Sequence, residues 1–246
     1  MRLHTTLDRF YIAPFQAPLD DFLGPAAARG GVAVDVGCGR GARTEALRAL
    51  GFSAVGVDLD PGRIAAARAS FPACTFHVGD ATALPLADAA CDLVFSCSVL
   101  QYVDHRRMLA ECRRVLRPGG RAVFIENLAG HPLARAHRVW RRRGRRARPA
   151  HLVPNHHVEL AELAVFADYL EVTAVHTANL LTPLALAPAV LLGRATPQGS
   201  ALQRILFGAD RHALARWPRL ARYCWTVLVC ATVPGPVVRR GHAGGA

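Results

Sequence analysis

The chain has 246 residues, of which 52% are hydrophobic and 20% charged, with a formal net charge of +12. This is enough apolar material for one well-buried α/β core, and too short a chain for two ordinary domains with a linker. All 30 basic residues are arginine, but eight of them lie between Arg135 and Arg148 with no acid among them; the rest of the chain carries only +4, so a general nucleic-acid surface is not required.

The first residues, MRLHTTLDRFYIAPF, mix charge into any apolar run, which argues against an export signal, and residues 1–30 read as an N-terminal helical cap. From Gly31 the pattern alternates short β-prone runs with helical stretches, the mark of βαβ units and a parallel sheet. Strands are expected at Val32 to Val36, Ala54 to Asp58, Thr75 to Val78, Asp92 to Ser96 and Arg121 to Glu126. Helices are expected at Ala42 to Leu50, Pro61 to Ser70 and His105 to Leu116, the last ended by a turn at LRPGG. Residues 31–126 then form the core and residues 127–157 a basic loop. A helix from Val158 to Tyr169, a strand near Val172 to Thr177, a Pro-interrupted apolar insertion over residues 178–222 and a strand from Tyr223 to Val233 complete a single domain. The fold class is a doubly wound, mostly parallel, seven-stranded α/β sheet, followed by a disordered tail at residues 234–246.

No CxxC pair or Cys/His cluster with zinc-ligand spacing occurs among the seven cysteines, so a reduced, cytoplasmic protein without a metal is expected. The longest apolar stretch, Leu180 to Leu192, contains Pro183 and Pro188 and is shorter than the roughly 20 residues of a membrane-spanning helix.

The informative segment is VDVGCGRGARTEAL, residues 34–47, where the first strand meets the first helix. Glycines there let the backbone turn sharply and approach a ligand, and the helix start presents free N–H groups. Gly37, Gly39 and Ala42 also satisfy the dinucleotide fingerprint G-x-G-x-x-G/A, so an NAD(P)-dependent oxidoreductase remains open on this segment alone. Asp35, two residues before the first glycine, would repel a pyrophosphate but favour an ammonium group. Asp58 follows Gly37 by 21 residues in VGVDLD, where a carboxylate accepts from ribose hydroxyls. Asp80 lies just past the third strand in GDATALP, within reach of an adenine amino group, with the N–H of Ala81 beside it. The end of the fourth strand, from Ser96, lines the topological switch point.

In VDVGCGRG, VGVDLD, GDATALP, CDLVFS and LRPGG, taken in order over roughly residues 31–126, the chain resembles the class I S-adenosylmethionine-dependent methyltransferases, in particular the small-molecule branch that includes the quinone-biosynthesis enzymes. The resemblance implies S-adenosyl-L-methionine as cofactor. Gly37, Cys38 and Gly39 would frame its methionine moiety, Asp58 and Leu59 the ribose and adenine, and Asp80 and Ala81 the adenine edge. Tyr11 resembles the N-terminal aromatic that closes over the methionine end. Acceptor-binding groups would come from Glu126, Asn127, His131, His156 and His157, with His157 the first candidate base and His131 the second, an imidazole being suited to proton removal at neutral pH.

The implied acceptor is a small molecule, apolar in part, under a cap built from the apolar insertion. If the arginine run faced the same side, an anionic membrane surface would be a peripheral partner; otherwise the run is a solvated loop. An RNA methyltransferase using that run is a further alternative. Against it, Ser96-Cys97-Ser98-Val99 lacks the Asn/Asp-Pro-Pro-aromatic motif of amino-nitrogen enzymes acting on bases.

Overall fold

The computed structural model describes residues 12–133, 135–136, 157–186 and 201–235. Tyr11, His156, most of the arginine run and residues 236–246 lie outside them. Seven strands form one sheet: β1 (Val32–Val36), β2 (Ser53–Asp58), β3 (Thr75–Val78), β4 (Cys91–Cys97), β5 (Leu116–Asn127), β6 (Glu171–Ala178) and β7 (Thr226–Thr232). Their order is β3-β2-β1-β4-β5-β7-β6, with β7 antiparallel to both neighbours and β1 to β5 paired in parallel. The α-helices are α1 (Gln16–Ala27), α2 (Ala42–Ala49), α3 (Pro61–Ser70), α4 (His105–Val115) and α5 (Ala201–Arg216).

Central strands buried on both sides read as continuous apolar runs, and VFSC in β4 or AVFI in β5 show why periodicity alone does not separate their two faces. On one face Val94 and Phe124 pack with Met108 and Leu109 of α4 and with Phe166, whose ring meets Phe124 edge-on at 5.0 Å. On the other, Leu93, Phe95 and Ile125 pack with Leu19 of α1 and Leu47 of α2. Helix starts follow local chemistry: Pro61 opens α3 while the Asp60 carboxylate accepts from Gly62 N at 2.8 Å and Arg63 N at 3.1 Å. Asp104 caps α4 by accepting from Arg107 N at 3.0 Å. Asp92 lies at the opposite end of the sheet from the ligand loops, accepting from Val32 N at 2.8 Å and from Arg117 at 2.5 Å.

Three expectations change. LRPGG is not a turn outside the strand: Leu116 pairs Cys91, pairing resumes at Arg121 opposite Leu93, and the intervening residues bulge so that Arg117 reaches Asp92 and the Ala90 carbonyl. The helix expected from Val158 to Tyr169 is a 3-10 helix, Leu160–Asp168, opened by a capping box between Glu159 and Glu162. The apolar insertion contains α5, and Tyr223 belongs to a 3-10 turn, Pro218–Tyr223, ahead of the shorter β7. Helix α5 was hidden because two of its inward positions are polar, Gln203 and Asp210. Asp210, 3% exposed, accepts from the N–H groups of Leu180, Leu181 and Thr182 at 2.6–3.3 Å and from the Thr182 hydroxyl at 2.7 Å. It thereby fixes the chain leaving β6.

Replacing Asp210 with Ala leaves three N–H groups, one of them fully buried, without their acceptor, so a loss of about 3 kcal/mol is expected in urea unfolding of the full chain.

Candidate active site

The parallel strands end at one edge of the sheet, and their loops enclose a cavity of about 430 Å³. Its walls come from the β1–α2 loop (Gly37 to Arg40), the end of β2 (Asp58, Leu59), the loop after β3 (Asp80, Ala81) and the segment after β4 (Ser98 to Val103). This is the crevice on either side of β1 where neighbouring connections run in opposite directions.

Gly37 and Gly39 adopt φ of +72° and +56°, and Gly37 N donates to the Val57 carbonyl at 2.7 Å. A Cβ on Gly37 would stand 2.3 Å from Val99 Cγ2, so two walls of the cavity touch there. A Cβ on Gly39 would meet nothing within 4 Å; it would extend into free space instead, at a residue that lines the cavity. Gly39 N donates to Asp58 Oδ2 at 2.8 Å, and Asp60 N donates to Asp58 Oδ1 at 3.0 Å. A carboxylate offers about four lone-pair positions, so Asp58, 8% exposed, keeps acceptor capacity for a ligand hydroxyl pair. Arg63 lies 3.9 Å from it.

Leu59 is 53% exposed, an apolar side chain held open on the cavity wall and suited to the face of a planar base. Asp80 accepts from the N–H and hydroxyl of Thr82 at 2.8 and 2.9 Å, which fixes the turn carrying Ala81. Cys38 lines the floor but is 5% exposed, and burial, followed by the charges of Asp35 and Asp58, pushes its thiol far above the usual range. It is a packing group, not a nucleophile.

Two expected residues stand behind the wall instead of on it. Asp35 is 1% exposed and accepts from the Thr44 hydroxyl at 2.7 Å, tying β1 to α2. The Ser96 hydroxyl is fully enclosed, and Ser98, two residues on, occupies the wall. The candidate bases both lie outside this cavity's lining. His131 is 3% exposed, with Nε2 3.0 Å from the Leu180 carbonyl and its ring 5.4 Å from that of Trp225. His157 is half-buried beside Val158, which bridges Leu128 just past β5, with Ala129 N donating to the Val158 carbonyl at 2.9 Å. Among the described residues no cluster of three or more His, Cys, Asp or Glu is arranged to hold a metal.

The sequence reading did not single out Arg40, Arg43, Arg63, Gln101 and Tyr102, all of which line the cavity. Arginine is so frequent in this chain that no spacing marks these three. At the end of β5, Glu126 is 2% exposed, and burial raises its carboxyl from 4.5 to about 7 against the N–H groups of Leu100 and Val99 and the charge of Arg43.

A family model described as a methyltransferase domain matches residues 34–124. An uncharacterized methyltransferase of Mycobacterium tuberculosis (strain ATCC 25618 / H37Rv) is 38% identical over 107 residues, 44% of this chain and 43% of that protein. The malonyl-[acyl-carrier protein] O-methyltransferase of Serratia marcescens is 40% identical over 98 residues, 39% and 38% of the two chains. The chain thus spans less than half the length of these curated relatives. Among solved structures, geranyl diphosphate C-methyltransferase from Streptomyces coelicolor A3(2), in complex with Mg2+, geranyl diphosphate and S-adenosyl-L-homocysteine, aligns with a TM-score of 0.55 and 19% identity over 92% of this chain and 85% of that one. The fold is therefore the Rossmann-like class I methyltransferase fold, and the matched domain coincides with the stretch that builds the cavity.

Gly39→Ala should fold with roughly 1–2 kcal/mol lost to left-handed backbone strain, whereas Gly37→Ala adds the Val99 collision and should lose about 3 kcal/mol or more, both measured by denaturant titration. For Glu126 the folded protein holds the proton more tightly than the unfolded chain, so its contribution to stability is full below about pH 4.5 and is lost as pH rises through about 7. Glu126→Gln should flatten that fall, a difference on the order of 3 kcal/mol at about 1.4 kcal/mol per pKa unit.

Proposed function

We propose that the chain is an S-adenosylmethionine-dependent methyltransferase acting on a small molecule with a substantial apolar part, working in the cytoplasm. The observation that carries the choice of cofactor is the Gly39 N–H donating to Asp58 at 2.8 Å. In a dinucleotide site the N–H groups of this turn face a pyrophosphate; here a carboxylate already takes one of them, and a phosphate would have to enter beside that negative charge. A phosphate-free nucleoside with a cationic tail has the complementary charge. The open space over Gly39, the spare acceptor capacity of Asp58 and the exposed apolar face of Leu59 fit the methionine end, the ribose and the adenine in turn.

When bound, the cofactor supplies a methyl group already activated by its sulfonium. The protein's part is then to orient and to exclude water. Gly37 and Gly39 allow the backbone to approach, Asp58 orients the ribose, and Asp80 with the Ala81 N–H reads the adenine edge. The wall from Ser98 to Val103 closes the methionine end, which is the side from which an acceptor must come in line. Of the two imidazoles, His157 is the first proposed base and His131, whose Nε2 lies 3.0 Å from the Leu180 carbonyl, the second. A partly apolar acceptor is supported by the neighbour solved with geranyl diphosphate, and by exposed Leu184, Leu202 and Ile205 in the apolar insertion. Peripheral contact with an anionic membrane belongs to the same reading, with arginine as the binding charge.

S-adenosyl-L-homocysteine at about a hundred times its Kd should stabilise the full chain by about 2.7 kcal/mol in thermal unfolding, and NAD+ or NADP+ at the same concentration should not; the reverse result ends this assignment. Asp58→Asn should weaken that binding about tenfold, roughly 1.4 kcal/mol. With an acceptor in hand, His157→Gln should lower kcat by about a hundredfold or more while S-adenosyl-L-homocysteine binding stays unchanged.

A further inference from the structure

One wall of the cavity depends on a neighbouring strand. After β4 the chain passes through Ser98, held at φ +61°, and then Val99 N and Leu100 N donate to Glu126 Oε1 at 2.9 and 3.1 Å. A serine adopts that backbone region only where its surroundings impose it. Residues just past this grip, Gln101, Tyr102 and Val103, line the cavity together with Val99, and Val99 touches the glycine loop at Gly37. The other oxygen of Glu126, Oε2, is buried without a hydrogen-bond partner. Arg43 on α2, which also lines the cavity, is the charged group acting on it; opposite Glu126 on β7 stands Val227, which carries no charge.

A buried carboxyl in this position is incompletely satisfied in either form: Oε2 has no partner, so a proton on it finds no acceptor, and the ionised group has donors on Oε1 alone. A cationic ligand entering on the far side of Val99 changes that balance in favour of the ionised form, and an ionised acceptor holds N–H groups roughly twice as strongly as a neutral one.

We propose that Glu126 is a positioning residue that makes methyl-donor binding proton-linked: as the donor enters, Glu126 releases its proton to solvent, and its carboxylate then holds Val99 and Leu100 more strongly, keeping the β4 wall against the glycine loop. This rests on the methyltransferase reading. Only the carboxyl O–H bond breaks, its electron pair staying on the carboxylate and its proton passing to water or buffer, one per carboxyl ionised. With its carboxyl raised to about 7 by burial, both forms are populated near neutral pH.

The test is calorimetry of binding of S-adenosyl-L-methionine, whose sulfonium carries the positive charge invoked, to the full chain from about pH 5.5 to about 8.5, in buffers of different ionisation enthalpy. Affinity should rise about tenfold across that range, equal to a one-unit displacement of the carboxyl's pKa on binding, with protons released near pH 6.5. Glu126→Gln keeps an oxygen for the two N–H groups but has no proton to lose. It should bind within a few-fold of the wild type at low pH, with no rise and no release, whereas Glu126→Ala should bind more weakly than the Gln variant. A Gln variant that keeps the wild-type slope, or a wild type that binds strongly at constant affinity without proton release, overturns the inference and leaves the methyltransferase reading standing. No binding by folded protein at any pH overturns both. Should the Gln variant fail to fold, the wild-type proton count decides alone, and zero is the overturning value.

Discussion

The contact between Gly39 and Asp58 joins the two loops that enclose the cavity. Gly39 lies after β1 and Asp58 at the end of β2, and the donation from one to the other sets the floor and the side of the cavity at a fixed separation. The parallel pairing of β1 with β2 brings these residues into reach, because Val36 is opposite Val57 and both loops therefore begin at the same height. The same carboxylate holds Asp60, the cap of α3, so the position of that helix and the shape of the cavity are consequences of a single side chain.

Around this pair, polar groups are assigned by depth. Asp35 and Ser96 lie inside the layer formed by the helices, where Asp35 fastens α2 to β1 through Thr44. Asp58 and Ser98 lie one step farther out and face the cavity. Strand alternation and the residue's height along the strand decide the difference: in a doubly wound sheet the ends of β1, β2 and β4 are buried until the last residue, and the wall begins only where the backbone leaves the sheet. Glu126 is a second carboxyl kept inside the layer, because two N–H groups of the β4 wall need an acceptor there.

The second half of the molecule follows a different logic. Beyond β5 the sheet continues through an antiparallel pair, and β6 is an edge strand exposed at alternate positions. The connection into it is held by polar groups turned inward, with Asp210 of α5 collecting the N–H groups of the chain leaving β6 and His131 meeting the Leu180 carbonyl. Such a segment carries few of the amphipathic signals on which sequence reading depends.

By itself the sequence determined the parallel half: the five strands and three helices from Val32 onward, the glycine turn, and Asp58, Leu59, Asp80 and Ala81 as cavity residues. These are legible because each depends on a local requirement, a positive φ at Gly37 and Gly39, a cap at Asp60, an apolar run between turns. The tertiary structure alone decided that Asp35 and Ser96 stand behind the wall, that LRPGG is a bulge within β5, that α5 lies in the apolar insertion, and that Glu126 supports a segment 26 residues earlier in the chain. The physical reason is that burial depth and hydrogen-bond partnership between distant segments depend on which strands become neighbours, and no residue carries that information in its own surroundings along the chain.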